Sequence, residues 1–214
     1  MRSYRQYCAM ARALDVVGDR WSLLIVRELM LSGSSRYTDL LKGLPGIATN
    51  LLAERLKDLE EGGVIRRELA PPPIATTLFS LTARGEGLRG VVSALGLWGG
   101  PLLMAGPRKD DEFQSHWLAL PITEFFPGKV ASPPVTIEVR TGDEPLVIET
   151  IEGRVRTRRG SAKAPDLVLS GRPEVILPVL RGRLDIPAAR KSGLKTEGDP
   201  RVLGRLRLEA GIGA

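Results

Sequence analysis

The punctuation between residues 35 and 63 constrains this chain more than any other feature of its 214 residues. Ser35-Arg36-Tyr37-Thr38-Asp39-Leu40-Leu41 has a polar start and a short apolar stripe. Gly43-Leu44-Pro45-Gly46 then halts and turns the backbone, and a second run from Ile47 to Glu61 places apolar residues at Ile47, Leu51, Leu52, Leu56 and Leu59. Glycine reaches conformations closed to other residues and proline lacks an amide donor, so the intervening positions end one helix without extending it. The 3.6-residue period of the second run predicts a helix with its leucines in a core and Thr49, Asn50, Ala53, Glu54 and Lys57 nearer the other side. Ser35 is expected to cap the first helix, its hydroxyl accepting from an unpaired amide of the first turn. The pattern is helix, tight turn, helix.

Gly62-Gly63 breaks the second helix, and two short stretches follow, Val64 to Leu69 and Thr76 to Leu81, separated by Ala70-Pro71-Pro72-Pro73-Ile74-Ala75. Three consecutive prolines cannot donate ladder hydrogen bonds, so they belong at a stiff hairpin tip outside the sheet. A hairpin directly after such a helix pair makes a wing, and the pair can offer the N-terminal polar residues of its second helix to a major groove. The expected DNA-contacting set is Arg36, Thr38, Thr49, Asn50, Ala53, Glu54, Arg55, Lys57, Arg66 and Thr76. Asparagine pairs with adenine, and arginine with guanine or a phosphate. For Arg55, deep in the helix, an ion pair with Glu54 or Asp58 is the alternative, and for Lys57 and Arg66 it is plain solvent.

The residues Tyr7-Cys8, Ala11 to Ile25 with Gly18-Asp19-Arg20-Trp21 at their centre, Arg36 to Leu40, Leu44-Pro45-Gly46-Ile47, Leu51 to Leu56 and Leu81-Thr82 resemble the HxlR-type branch of the MarR-like winged-helix regulators. The resemblance implies a dimeric DNA-binding repressor or activator acting on a pseudo-palindromic operator. Ala9 departs from it, since the family usually has proline after the cysteine. Cysteines at the place of Cys8 often sense oxidants or electrophiles in that family; the alternative is a small buried apolar residue. With one cysteine in the chain, oxidation could give only a bridge between subunits or a mixed disulfide. A multi-cysteine metal site is excluded, and a reducing, cytoplasmic location is expected.

Thirty-one basic against twenty-five acidic residues give a net charge of +6, which favours polyanionic partners without assigning them. Residues 1 to 106 hold 13 basic and 10 acidic side chains, and residues 107 to 214 hold 18 and 15, so each half carries the same excess. Any DNA binding must therefore come from the placement of a few side chains. No apolar stretch approaches the roughly 20 residues of a membrane span, and no signal-peptide pattern opens the sequence.

After Thr82, an expected helix cap, Leu88, Val91, Val92, Leu95 and Trp98 recur at helical spacing, as a dimer seam or as intrachain core. The glycines 85, 87 and 90 have the spacing of a nucleotide loop but follow a wing and lack a strand-helix-strand setting. Gly99-Gly100-Pro101 and Gly106-Pro107 then mark a boundary. The expected organisation is a winged helix-turn-helix domain over 1–100, a linker over 101–111 and a second domain over 112–214, an α+β protein overall.

In that second part Val135 to Arg140, Leu146 to Ile151, Arg154 to Arg158 and Asp166 to Ser170 read as strands. Turns fall at Thr141 to Glu144 and at Glu152-Gly153, and a helix runs from Pro173 to Arg181, shortened or kinked by Pro178. Ser170 to Glu174, Leu180 to Asp185 and Ser192 to Asp199 resemble the sterol carrier protein-like fold, a mixed α/β sheet domain in which helices over one face enclose an apolar tunnel. That resemblance implies a lipid-like effector, for which Phe113, Trp117 and Phe126 are the expected contacts; otherwise they pack a core. Arg154, Arg156, Arg158 and Arg159 are read as alternating on one strand face, for an acidic headgroup, a DNA phosphate or solvent. His116 lacks a metal-ligand neighbourhood, and no catalytic constellation, metal or cofactor is expected. The rival to a regulator is a lipid or acyl-chain carrier whose winged helix serves only dimerisation.

Overall fold

The computed structural model of the chain describes residues 3–72, 75–126 and 133–206. The backbone divides into two compact units, Met1–Trp98 and Gly99–Ala214.

The first unit begins with α1 (Ala9–Val17) and α2 (Ser22–Ser32), followed by β1 (Ser34–Arg36), α3 (Tyr37–Gly43) and α4 (Thr49–Glu61). It continues through β2 (Ile65–Leu69), β3 (Thr77–Leu81), α5 (Ala83–Glu86) and α6 (Arg89–Gly99). Its core gathers Ile25, Val26 and Leu29 of α2, Leu40 and Leu44 from α3 and the turn, Leu52, Leu56 and Leu59 of α4, and Ile65 and Leu81 of the wing, all buried. Each such side chain is worth about 1.5–3 kcal/mol in removal from water. The wing sheet has the order β1-β3-β2, antiparallel throughout, with Ser34 opposite Ser80 and Ile65 opposite Leu81. At the tip the Ala70 amide donates to the Thr76 carbonyl at 2.8 Å; Pro73 and Ile74 of the expected proline tip lie outside the described residues.

One expectation needs correcting in this unit, and one strand carried no signal. Ser35 does not cap α3; it is buried in β1, its hydroxyl 2.7 Å from that of Ser32, and Arg36 is the cap residue. The Asp39 carboxylate accepts from the Arg36 amide at 3.3 Å instead, reaching back from inside the helix. The strand β1 itself has three polar residues and no alternation that could announce it. In contrast, Thr82 caps α5 as expected, accepting from the Gly85 amide at 3.1 Å while its own hydroxyl donates to the Gly63 carbonyl at 2.7 Å. A Cβ added at Gly85 would stand 2.1 Å from the Val64 carbonyl oxygen. Close packing of α5 against the wing, and no nucleotide, accounts for that glycine.

The second unit has 3-10 turns at Gly100–Ala105 and Ser115–Leu118, then α7 (Ala119–Phe125), β4 (Thr136–Arg140), β5 (Leu146–Ile151), β6 (Arg154–Arg159) and β7 (Leu167–Ser170). After these come α8 (Pro173–Leu180), α9 (Ile186–Lys191), β8 (Lys195–Gly198) and a 3-10 turn at Pro200–Leu206. The sheet order is β6-β5-β4-β7-β8; β4 and β7 run parallel and every other neighbouring pair is antiparallel. Registers such as Ile137 opposite Ile148 and Leu167, and Val139 opposite Leu146 and Leu169, put one apolar face together. These residues are fully buried, as are Ile122 of α7 and Ile176 of α8. The Glu152-Gly153 turn has φ of 51° and 72°, as a tight two-residue hairpin requires.

Here, too, the sequence misleads in places. The helix expected over Pro173 to Arg181 does form, as Pro173–Leu180 with Pro178 inside it, and the Pro178 carbonyl accepts from the Arg183 amide at 2.8 Å as the chain leaves. The polar strand β8 was not expected. Arg159 does not share a face with Arg154, Arg156 and Arg158, because it stands opposite Leu146 on the core-side register.

Candidate nucleic-acid interface

On α4 the leucines turn inward and leave Thr49, Asn50, Ala53, Glu54 and Lys57 exposed in a continuous patch at and after its N-terminus. The Tyr37 hydroxyl donates to the Thr49 carbonyl at 2.6 Å, fastening the start of α3 to the start of α4. Sequence reasoning missed Tyr37, since an aromatic residue at a helix start carries no signal of a distant partner. Arg36 and Thr38 are exposed close by in sequence, at the entry to α3. On the wing, Arg66 is exposed, its guanidinium 3.1 Å from the Ser80 hydroxyl and 3.0 Å from Glu68. Thr76 is half-buried, its carbonyl committed to the hairpin tip. Between α4 and the wing lies a half-open groove of about 450 Å³, with Tyr37, Ala53, Leu56, Lys57, Arg67 and Phe79 among its lining.

Arg55 does not join this patch. It is buried and forms ion pairs with Asp19, Glu54 and, at 2.9 Å, Asp58, while its Nε lacks an acceptor among the described residues. The pairing alternative holds and a base contact by Arg55 is withdrawn, because its guanidinium is spent on binding α4 to the turn between α1 and α2. Asp19 was not foreseen as a partner, being 36 residues away in sequence. That turn is itself distinctive: Trp21 adopts φ of 82°, rare for a bulky side chain, with the Arg20 guanidinium 5.7 Å above its ring.

Cys8 stands exposed immediately before α1. The backbone amides of Ala11 and Met10, pointing at it from the first helical turn, hold its thiol below the ordinary cysteine range. The buried alternative for Cys8 is therefore excluded. Around it Tyr4, Tyr7, Met10 and Leu14 are exposed, as are Val91, Leu95, Leu97 and Trp98 on α6.

Of the three residues expected to meet an effector, Phe113 and Trp117 come together edge to face at 6.4 Å, both half-buried, and Phe126 is buried. Phe113 rests on the turn at Gly142, where an added Cβ would stand 2.9 Å from its ring. Beside them the Asp143 carboxylate accepts from the Ser115 amide at 3.0 Å and its hydroxyl at 3.2 Å. Burial pushes that carboxyl up, but these bonds and the nearby His116 outweigh it and leave it below the usual range. Among the described residues no three His, Cys, Asp or Glu side chains are grouped to hold a metal, and no helix is long and apolar enough to cross a membrane.

Comparison with known proteins bears on this arrangement. Residues 16–106 match the HxlR-like helix-turn-helix family. The HTH-type regulator YvaP of Bacillus subtilis is 36% identical over 87 residues, which are 41% of this chain and 80% of that one. The chain belongs to the HxlR-like family. YodB of the same organism, an HTH-type transcriptional regulator, is 33% identical over 89 residues, 42% of this chain and 79% of its own. The solved reduced form of YodB aligns with 48% of this chain and all of its own at a TM-score of 0.41 and 29% identity. As an HxlR-like protein the chain is a DNA-binding transcriptional regulator, and the carrier reading gives way to it. The family match ends at residue 106, so membership rests on the winged-helix unit.

Proposed function

We propose that this regulator works as a cytoplasmic homodimeric repressor of a pseudo-palindromic operator, with α4 of each subunit in the major groove. The observation that carries this reading is the exposed patch Thr49, Asn50, Ala53, Glu54 and Lys57, presented on a helix whose other face is locked into the core. Asn50 is the direct reader, since its amide can pair with an adenine edge, and Thr49 and Lys57 serve the flanking phosphates. Arg36 and Thr38 at the start of α3 and Arg66 on the wing extend the backbone contacts; Thr76 supports the wing. Dimerisation joins two half-sites about one helical turn apart, and the exposed apolar residues of the N-terminal segment and α6 supply the surface for it.

The second unit is read as a sensor domain of sterol carrier type, covering 112–214 after a linker over 101–111. A five-stranded mixed sheet with an apolar face and buried helical residues supports this assignment. An apolar, lipid-like effector near Phe113, Trp117 and Phe126 would bias the spacing of the two recognition helices, so that effector and DNA weaken each other's binding by the same factor. Oxidation of Cys8 is a second input, favoured by its exposure and lowered thiol pKa.

A fluorescence-anisotropy titration against the chain's own upstream DNA and a scrambled duplex, at two salt concentrations, tests the core of this reading. Selective binding that weakens as salt rises is the expected result. Equal weak binding to both duplexes would overturn it.

A further inference from the structure

The second unit carries a basic surface that the α4 patch does not absorb. In β6, Arg154, Arg156 and Arg158 alternate with Val155 and Thr157, so their side chains share the sheet face opposite the apolar core, and all three are exposed. Their cross-strand neighbours are Ile151, Glu149 and Val147. The acids on that face are largely committed. Glu138 is buried, one oxygen accepting from Arg140 and the other from the Ala162 amide, both at 2.7 Å. Glu197 meets Arg140 at 3.4 Å, and Glu149 meets Arg158 at 3.6 Å. Among the described residues Arg154 and Arg156 have no acidic partner within ion-pair distance. Arg158 also donates to the Ser161 carbonyl at 3.2 Å, drawing the segment that carries exposed Lys163 to the same side.

Charge on an edge strand guards against pairing with another sheet, and β6 is an edge. One or two charges accomplish that; three arginines at a two-residue repeat form a line of roughly 13 Å. Measured along the duplex axis, this is about four base-pair steps. Guanidinium is also the side chain best suited to phosphate oxygens. We propose that this arginine face is a second, sequence-independent contact for the phosphate backbone of the duplex, outside the segment read by α4. The occupant is DNA because the chain is a DNA-binding regulator, so a polyphosphate partner is present when it acts. This inference rests on that activity.

The test compares the full-length protein with R154Q/R156Q/R158Q on two duplexes, one just spanning the operator and one extended by about 20 base pairs on each side, over a series of salt concentrations. Each phosphate contact steepens the slope of log affinity against log salt by about 0.9. The wild type should therefore show a slope steeper by about 2 to 3 for each subunit engaged, about 5 for the dimer, on the long duplex than on the short one, with tighter binding at low salt. The triple variant should lose that difference and keep its short-duplex affinity, while R154K/R156K/R158K restores much of it. Identical slopes for wild type and triple variant on the long duplex would overturn the proposal, leaving operator binding intact. Absence of wild-type binding to either duplex would overturn both readings. If the triple variant loses only its binding to vesicles of anionic phospholipid, the face belongs to a membrane surface and the proposal fails.

Discussion

The two units treat apolar surface in opposite ways. In the first, Tyr4, Tyr7, Met10, Leu14, Leu24, Leu69, Val91, Leu95, Leu97 and Trp98 are large apolar residues left in contact with solvent; in the second the corresponding group among the described residues is Leu102 and Leu103 of its opening 3-10 turn and Ile151. A soluble chain rarely leaves so much apolar surface uncovered unless another surface meets it. The winged-helix unit is thus unfinished by itself, whereas the five-stranded sheet and its helices bury their own core. One unit leaves much of its apolar surface open, and the other closes over its own.

Breaking the unfinished surface gives the largest expected effect. A double substitution L95R/W98R should shift the protein to monomer in sedimentation velocity and lower operator affinity by about a hundredfold or more, since a monomer holds one half-site; a dimer that persists would remove α6 from the seam. Arg55→Met leaves Asp19, Glu54 and Asp58 crowded without a cation, one of them half-withdrawn from water. It should cost about 2–3 kcal/mol in urea denaturation, below the upper range for buried pairs because two of the acids are solvated. Asn50→Ala should weaken operator binding by about 10- to 100-fold and flatten the preference at one base pair, leaving stability unchanged.

On the closed side, Glu138 offers a smaller and pH-dependent effect. Burial pushes its carboxyl up, but the Ala162 amide and the Arg140 guanidinium overcome this and hold it below the ordinary glutamate range. A lowered folded value means stability fully present above the unfolded pKa, about 4.3, and lost as pH falls through the folded one. Glu138→Gln should therefore destabilise the second unit by about 1–2 kcal/mol near neutrality and flatten its stability profile below pH 4.3. An unchanged acid limb in thermal melts would show that the Glu138 bonds are not what acid breaks. Arg66→Gln, on the exposed wing, should reduce affinity only a few-fold per wing and the salt slope by about 1 for each subunit.

Legibility divided along another line, between local rules and contacts across the chain. The helix pair, the turn and the wing were readable because each rests on local rules: leucine periodicity in α4, Pro45 and Gly46 in the turn, Thr82 as a cap. What could not be read were meetings across the chain. Arg55 looked like a reader until Asp19 arrived from 36 residues away, and Tyr37 gave no hint of the Thr49 carbonyl. The strands β1 and β8 were invisible for another reason, being short, polar and held by neighbours rather than by a pattern of their own. In β6 the alternation was legible, but Arg159 was assigned to the wrong face because counting arginines overrode the two-residue period.

The contact at Gly85 sets a limit on how such a protein can vary. A carbonyl, which has no rotamer to yield, faces that position at 2.1 Å from where a side chain would start. The approach of the wing to α5 is accordingly fixed by backbone-to-backbone contact, and no conservative replacement there can retune it. A lineage that needs a longer or shorter reach toward DNA has to find it at the far end of the hairpin, around Pro71 and Pro72, where length can change without disturbing the contact at Gly85.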